Sequence, residues 1–434
     1  MTVNFDAKSK QILETLENGT ENIFLTGNAG TGKSTLLDHF RNITPRNIAV
    51  VAPTGVAAVN VKGETIHSFF GFPPNITRER AVSEAKKTKK SKIFNALEIL
   101  VIDEISMVRA DLLDSIDSFL QAVRHKPHAF GGVKLIMVGD LHQLPPVVTF
   151  LEKDALASLY ESPYFFSSQV FNSLFDGLLP QLKLIELETI YRQADQKFID
   201  LLNRIRNKET TEMDLNLLNE RLTSEGEALD NYIILTTIND QADKMNQIKL
   251  DEIEGPTYTF NAVRSGSFPA QQFPAGETIY LKTGARIMLL NNDPQGRWIN
   301  GTLGTLFSVR PDGAYVKIDG GETVKVEPVT WSSYKTVYNE LTNSLDSENI
   351  GSFKQLPIRL AWAITIHKSQ GKTFDKVAID LGRGAFAHGQ TYVALSRCTS
   401  LSGLKLFRPI HHESIIVDSC VLNFLRSLRQ SVAV

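Results

Sequence analysis

The chain opens on a helix-period pattern: between residues 6 and 18, Ile12, Leu13 and Leu16 share one face, Asp6 stands where an N-cap belongs and Gly19 where a helix stops. Short, nearly continuous apolar runs follow at Asn22 to Leu25, Ile48 to Ala52, Leu97 to Ile102 and Val133 to Val138, with helix-like stretches such as Ala110 to Val123 between them. Runs without polar alternation suit strands buried on both faces, so the first half predicts an α/β unit on a parallel sheet. A second series comprises Leu184 to Leu187, Tyr232 to Leu235, Ile287 to Leu290, Val377 to Leu381 and Leu404 to Phe407. With the helix-like Phe198 to Arg206 among them, these predict a second α/β sheet. From Pro294 to the region of Ile350 the pattern turns short and alternating, at Thr302 to Val309, Tyr315 to Ile318 and Thr323 to Val326. Turns at Pro311-Asp312-Gly313 and Asp319-Gly320-Gly321 make this a small antiparallel barrel or ribbon inserted into the second unit.

The runs of the first half end in polar or glycine-rich residues, among them Pro53-Thr54-Gly55, Asp103-Glu104 and Gly139-Asp140-Leu141-His142-Gln143. The carboxyl ends of strands form the binding crevice of an open α/β sheet, so these segments should converge. After the first run comes Gly27-Asn28-Ala29-Gly30-Thr31-Gly32-Lys33-Ser34, then Thr35 and an apolar helix start. In this spacing the glycines let backbone N–H groups and the positive helix end wrap an anion. Lys33 then reaches the β and γ phosphates of a nucleotide, and Ser34 holds Mg²⁺. Asp103 suits the metal shell and Glu104 the attacking water, although an Asp-Glu pair at a strand end also serves as a plain cap.

Composition narrows the setting. At 434 residues, 42% hydrophobic and 22% charged, the chain is ordinary globular material for two or three domains. The two cysteines, Cys398 and Cys420, form no metal-binding pair or disulfide framework, which fits a reducing compartment. Neither a signal peptide nor a membrane-length apolar run is present, so the expectation is a soluble, cytoplasmic protein without a membrane partner. A formal charge of −2 argues against coating nucleic acid by bulk charge but leaves room for a local basic channel. Residues 78–92 carry seven Lys/Arg against two Glu, which reads either as a solvated insertion or as a nucleic-acid contact.

Arg192, in Tyr191-Arg192-Gln193, and Arg397, in Ser396-Arg397-Cys398, gain meaning if a cleft joins the two sheets. An arginine that reaches a nucleotide from a second domain completes the site only when the cleft is shut, and so couples closure to hydrolysis. Hydroxyls, amides, lysine and stackable rings suited to a single strand stand in Pro53-Thr54-Gly55, in the stretch with His67, Phe69 and Phe70, and in Thr365-Ile366-His367-Lys368. Phe69 and Phe70 suit a core equally well.

The ordered set resembles the petite-integration-frequency helicases of the RecD-like, 5′-to-3′ branch of superfamily one. It comprises Gly27 to Thr35, Ala52 to Ala58, Gly63 to Phe70, Val101 to Met107, Gly139 to Val147, Tyr191 to Gln193, Ile366 to Phe374 and Tyr392 to Cys398. The stretch after Met107, through Phe130-Gly131-Gly132, resembles the segment by which that family differs from its RecD-like relatives. The resemblance implies an α/β fold of two RecA-like domains, 1–183 and 184–293 with 351–434. It also implies a wedge element at about 63–92 and an SH3-like insertion at 294–350. ATP and Mg²⁺ would be the cofactors, and single-stranded, tailed or forked DNA, RNA–DNA hybrids and G-quadruplex DNA the substrates, in genome maintenance. The protein would be a monomer that dimerises on DNA.

Carried onto this chain, Gln11 reads adenine, while Gly27, Ala29, Gly30, Thr31, Gly32, Lys33, Ser34, Thr35 and Gly371 line the nucleotide. Asp103 and Ser34 hold the metal and Glu104 the water; Gln143 senses the γ phosphate, and Arg192 and Arg397 are arginine fingers. Leu141 replaces an aromatic commoner in the family and leaves the role of His142 open. The absence of long extensions suggests a bacterial or phage origin. Two other readings use the same residues: a single-strand-binding module switched by ATP, and a metabolic phosphotransferase. The two-sheet layout and paired arginines disfavour the second.

Overall fold

The computed structural model describes residues 7–432 except 74, 176–181, 190–192, 194, 225, 226, 228, 230, 311, 312, 340, 341, 343 and 383. The four apolar runs of the first half form strands β1 (Asn22–Gly27), β2 (Ile48–Ala52), β4 (Ile99–Ile102) and β5 (Lys134–Val138), which the short β3 (Glu64–Thr65) and the later β6 (Leu182–Leu187) join. They make one parallel sheet in the order β3-β2-β4-β5-β1-β6. Alternate residues face opposite ways: Ile23 and Leu25 join Val101 and Ile136 in one core, while Phe24 joins Leu100, Ile102 and Met137 in another.

Helices α1 (Ala7–Asn18) and α2 (Lys33–Ile43) cover the first of these faces, through Leu16, Leu36, Leu37 and Phe40. The expected cap Asp6 lies outside the described residues. Then come α3 (Gly55–Asn60), α4 (Ile66–Phe70), α5 (Arg78–Lys87), α6 (Ser91–Ala96), α7 (Ala110–Arg124), α8 (Phe150–Leu159) and α9 (Gln169–Phe175). The basic stretch 78–92 is thus largely helical: α5 buries Ala81 and Ala85, and Arg78 donates to Ser118 on α7 at 3.2 Å.

Two expectations change at the domain boundary. Leu184 to Leu187 does not open the second sheet: β6 pairs in parallel with β1 over six residues, from Asn22–Leu182 to Gly27–Leu187. Pairing to the strand that feeds the phosphate loop outweighs its place in the sequence. Ile287 to Leu290 likewise leaves the α/β sheet for an antiparallel one, described below.

After α10 (Gln196–Asn207) and α11 (Glu212–Asn219), β7 (Ile233–Thr236) is central in the second parallel sheet. Its partners are β18 (Ala363–Thr365), β19 (Val377–Asp380) and β20 (Leu404–Leu406), in the order β18-β7-β19-β20. Helices α12 (Asn239–Asp251), α13 (Ile366–Ser369) and α14 (Gln390–Leu395) follow these strands. Strands β8 (Tyr258–Asn261) and β10 (Thr278–Leu281) form a ribbon.

The interrupting region is antiparallel, as the alternation predicts. Strands β11 (Arg286–Leu289), β12 (Leu303–Arg310), β13 (Gly313–Ile318), β14 (Thr323–Val326) and β17 (Ile358–Leu360) form one sheet. A long hairpin, β15 (Val329–Asn339) with β16 (Ser344–Gln355), pairs with β9 (Val263–Gly266). The hairpin reaches back to the first domain: the Thr336 amide donates to Glu64 Oε1 at 2.5 Å and the Leu345 amide to Asn47 Oδ1 at 2.9 Å. Tyr338 and Leu345 pack on the first domain's core.

The last helix, α15 (Ser419–Val432), also returns. Val421, Phe424, Leu425 and Leu428 enter the core shared with Phe24 and Phe165, and Arg429 grips Glu186 with two hydrogen bonds of 2.9 and 2.8 Å. Residues 419–432, which the sequence groups with the second domain, therefore pack on the first. Among the described residues no helix is long and apolar enough to cross a membrane.

Candidate nucleotide and nucleic-acid site

Strand β1 ends in the glycine loop, and α2 begins at Lys33 directly after it. Gly30 and Gly32 have φ of 83° and 81°, in the left-handed region where side chains are strained, so the turn demands glycine at both. Lys33 Nζ folds back onto its own loop, 2.8 Å from the Gly27 carbonyl and 3.0 Å from that of Asn28. Burial pulls the Lys33 ammonium below its ordinary value, and Asp140, Glu104 and Asp103 act against that pull. Ser34 and Thr35 stand on the first turn of α2, both exposed.

Asp103 and Glu104 follow β4, and the Asp103 amide donates to the Val51 carbonyl at 2.9 Å. Glu104 takes φ 50°, ψ 44°, a left-handed conformation that costs a non-glycine residue on the order of 1–2 kcal/mol. Burial raises both carboxyls: the pair titrates near 6 at Asp103 and near 7 at Glu104, with the Asp103 charge adding to the rise at Glu104. Lys33 and Arg397 pull Glu104 the other way, which places both cations within its field.

Asp140, after β5, is the hub. Gln143 Nε2 donates to its Oδ2 at 3.1 Å, the His142 amide to its Oδ1 at 3.1 Å, and Arg206 from α10 to the same oxygen at 3.2 Å. Burial alone would raise this carboxyl, but Arg206 and Lys33 overcome it and hold it at about 2. His142 is pushed down to about 3, chiefly by burial, and its neutral ring donates from Nδ1 to the Arg206 carbonyl at 3.0 Å.

The second domain closes on this hub at several points. On α10, Asn203 and Arg206 lie three residues apart on one face. Asn203 Oδ1 accepts from Asn28 Nδ2 at 3.0 Å, while Arg206 holds Asp140. Within the second domain, Gln193 Nε2 donates to the carbonyls of Ser396 and Cys398, on either side of Arg397, at 3.1 and 3.2 Å. His388 donates from Nε2 to the Leu141 carbonyl at 2.7 Å and accepts the Asp418 amide at Nδ1 at 2.8 Å. Next to it Gly389, φ 70°, packs so closely that a Cβ would lie 2.3 Å from the His142 carbonyl oxygen.

Arg397 is almost wholly buried after α14. Its guanidinium donates to the carbonyls of Val393 at 3.0 Å and Lys372 at 3.3 Å and to the Ser396 hydroxyl at 2.9 Å, so it is held from its own domain. Arg192 lies outside the described residues. Gln11 is exposed on α1, and Gly371 is exposed with φ 74°.

Among the expected polymer contacts, Pro53, Thr54 and Gly55 are partly exposed where β2 meets α3, and the Thr54 hydroxyl caps α3 by accepting from the Ala57 amide. Thr365 caps α13, beside partly exposed His367 and exposed Lys368. His67 is partly exposed. Phe69 is a correction: it is fully buried, 4.9 Å from the ring of Phe70 and 5.3 Å from that of Phe94, so the core reading holds and no face is open to a base.

The sequence reading omits Arg206 and His388, and leaves His142 without a role. Arg206 stands in Arg204-Ile205-Arg206-Asn207-Lys208, which reads as an ordinary basic helix end; the available hint was its spacing from the apolar face of Phe198, Leu202 and Ile205. Among the described residues no cluster of three or more His, Cys, Asp or Glu could hold a metal. The Ser34 hydroxyl and Asp103 carboxylate still fit Mg²⁺, a hard ion that takes one or two protein oxygens and completes its shell with phosphates and water.

A sequence model of the PIF1-like helicase family matches residues 5–216. The chain is 33% identical to the ATP-dependent DNA helicase Pif1 of Bdellovibrio bacteriovorus, over 98% of this chain and 92% of that one. It is 34% identical to the human ATP-dependent DNA helicase PIF1 over 94% of this chain, and spans 62% of that longer relative. Among solved structures, Bacteroides sp Pif1 in complex with ADP-AlF4 matches with a TM-score of 0.90 at 36% identity, covering 99% of this chain and 98% of that one. Bacteroides Pif1 bound to ssDNA matches over the same shares at 35% identity with a TM-score of 0.66.

Proposed function

The chain belongs to the PIF1-like helicase family, and on that premise we propose that it is an ATP-dependent DNA helicase that moves 5′ to 3′ along single-stranded DNA. One observation carries the reading. Residues from two α/β domains converge on one phosphate loop: Lys33, Asp103, Glu104, Asp140 and Gln143 from the first, Arg206 and Arg397 from the second. A site divided this way senses the distance between the domains.

Lys33 exchanges its loop carbonyls for the β and γ phosphates, and Gln143, held by Asp140, lies against the γ phosphate. Glu104 takes the proton of the attacking water; a base that titrates near 7 is matched to that task at neutral pH. Mg²⁺, held through Ser34 and Asp103, would draw charge from the phosphate oxygens. Arg397 and Arg192 supply positive charge to the transition state from the second domain. Gln11 contacts adenine. Thr54, His67, Thr365, His367 and Lys368 follow the DNA strand across the two domains, so each closure advances the protein.

The same reading takes the antiparallel region as SH3-like and includes unwinding of forks, RNA–DNA hybrids and G-quadruplexes by a monomer that pairs on DNA. The deciding experiment compares two otherwise identical duplexes, one with a 5′ tail and one with a 3′ tail, with Glu104→Gln as control. ATP-dependent separation confined to the 5′ tail is expected. Separation from the 3′ tail overturns the polarity, and DNA-stimulated hydrolysis without separation favours an ATP-switched binding module.

A further inference from the structure

Beside edge strand β18 a cleft of about 330 Å³ opens between α12, β10 and β17, and Thr365 and Lys368 are among the residues that line it. Arg359 on β17 and Tyr280 on β10 also line this space, and Tyr280 is 55% exposed. Several guanidinium groups of this chain are matched to a carboxylate: Arg109 to Asp111, Arg204 to Asp214, Arg286 to Asp319, Arg297 to Asp293. The Arg359 guanidinium has no hydrogen bond or ion pair among the described residues, although it lies in the field of Asp243.

Its neighbours make the charge imbalance worse. Burial lowers the proton affinity of both Lys368 and Lys372 and Arg359 lowers it further, while Asp243, which also lines the cleft, partly offsets Arg359 and Lys368. Lys372 is committed to Asn300, 2.7 Å away. A half-buried arginine, a lysine whose ammonium has no hydrogen bond or ion pair among the described residues, and an exposed aromatic ring around one groove combine the two features that hold single strands without reading sequence: a net positive lining for phosphates and a flat face for a base.

We propose that this cleft is a binding subsite for the single DNA strand that passes Thr365 and Lys368, with Arg359 the ligand of a backbone phosphate and Tyr280 the platform for a base. The proposal rests on the DNA-translocating reading above. It extends the strand's path past the parallel sheet and onto the β10–β17 face.

The test measures binding of a fluorescein-labelled oligothymidylate of about 16 nucleotides, by anisotropy over a range of salt concentrations, without nucleotide. Relative to the wild-type chain, Arg359→Ala should lower affinity and reduce the slope of log K against log salt by about 0.7, the share of one phosphate on a single strand. Arg359→Lys should restore the slope, which a merely structural loss would not allow. Tyr280→Ala should weaken binding by roughly 5- to 150-fold while leaving the slope unchanged, and Tyr280→Trp should retain it. Unchanged affinity and slope in Arg359→Ala, alongside a loss in Lys368→Ala, overturns the subsite and leaves the helicase reading standing. Failure of the wild-type chain itself to bind the oligonucleotide overturns that reading, and the subsite with it.

Discussion

Arg206 of the second domain and Asp140 of the first form an ion pair of 3.2 Å, with side chains 11% and 0% exposed, and the other oxygen of the same carboxylate holds Gln143. One anion thus ties the expected γ-phosphate sensor to the opposite domain. Arg206→Ala and Asp140→Ala should each lower DNA-stimulated kcat/KM for ATP, and the double variant should do little further harm. The expected coupling in that cycle is on the order of 0.5–3 kcal/mol. Strictly additive losses would mean that the two side chains act independently of one another.

The raised carboxyl of Glu104 sets a pH dependence. A base must be deprotonated to act, and its folded-state value lies near 7, so kcat/KM for ATP should rise with pH up to about 7 and then level. Glu104→Gln should bind ATP yet lose turnover and this limb together. A flat profile from about pH 5.5 to 8, or appreciable turnover in the glutamine variant, would place the base elsewhere.

Arg397 is held in place before any nucleotide contact, by carbonyls of its own domain. If it serves as a finger, Arg397→Ala should cost about 4–7 kcal/mol of transition-state stabilisation with a smaller change in KM. Single-turnover hydrolysis at wild-type rate would remove it from the chemistry.

Gly389 meets two constraints at once: its φ is 70°, and a Cβ at this position would lie 2.3 and 2.5 Å from the carbonyl oxygens of His142 and Gln143. Gly389→Ala should therefore push the Asp140–Gln143 loop out of register and cut DNA-stimulated ATPase activity sharply, along with melting temperature. An alanine variant with wild-type hydrolysis would show that this contact opens during turnover.

Glu64 is buried and accepts the Thr336 amide of the hairpin. Glu64→Ala leaves that amide without its acceptor, a loss of about 1–3 kcal/mol, and hydrogen exchange should accelerate along strand β15. Glu64→Gln, which keeps a carbonyl oxygen, should largely restore protection. Equal exchange in all three proteins would mean that Tyr338 and Leu345 hold the hairpin unaided.

Local pattern exposed most of the catalytic half of the site. The phosphate loop, Asp103-Glu104 and Gln143 are continuous motifs at strand ends, and their strands form as the apolar runs predict. Strand partners are less visible: β6 and β11 have the same apolar character as their neighbours in sequence, yet pair with β1 and β12. Nothing local distinguishes those choices. Arg206, His142 and His388 were hidden for a related reason, because their bonds to Asp140, to a carbonyl of α10 and to Leu141 all cross the domain boundary. The sequence shows which chemistry is present; the meeting of distant segments decides which ordinary side chains join it.

The return of α15 to the first domain has a mechanical consequence. The chain leaves that domain after β6 and re-enters it at α15, so the second domain hangs from two pins rather than one. A body suspended at two points can swing about the line that joins them, but it cannot drift away or twist freely. Any opening and shutting would then be confined to a hinged stroke along one arc, with the helix that supplies the second pin as its axle bearing.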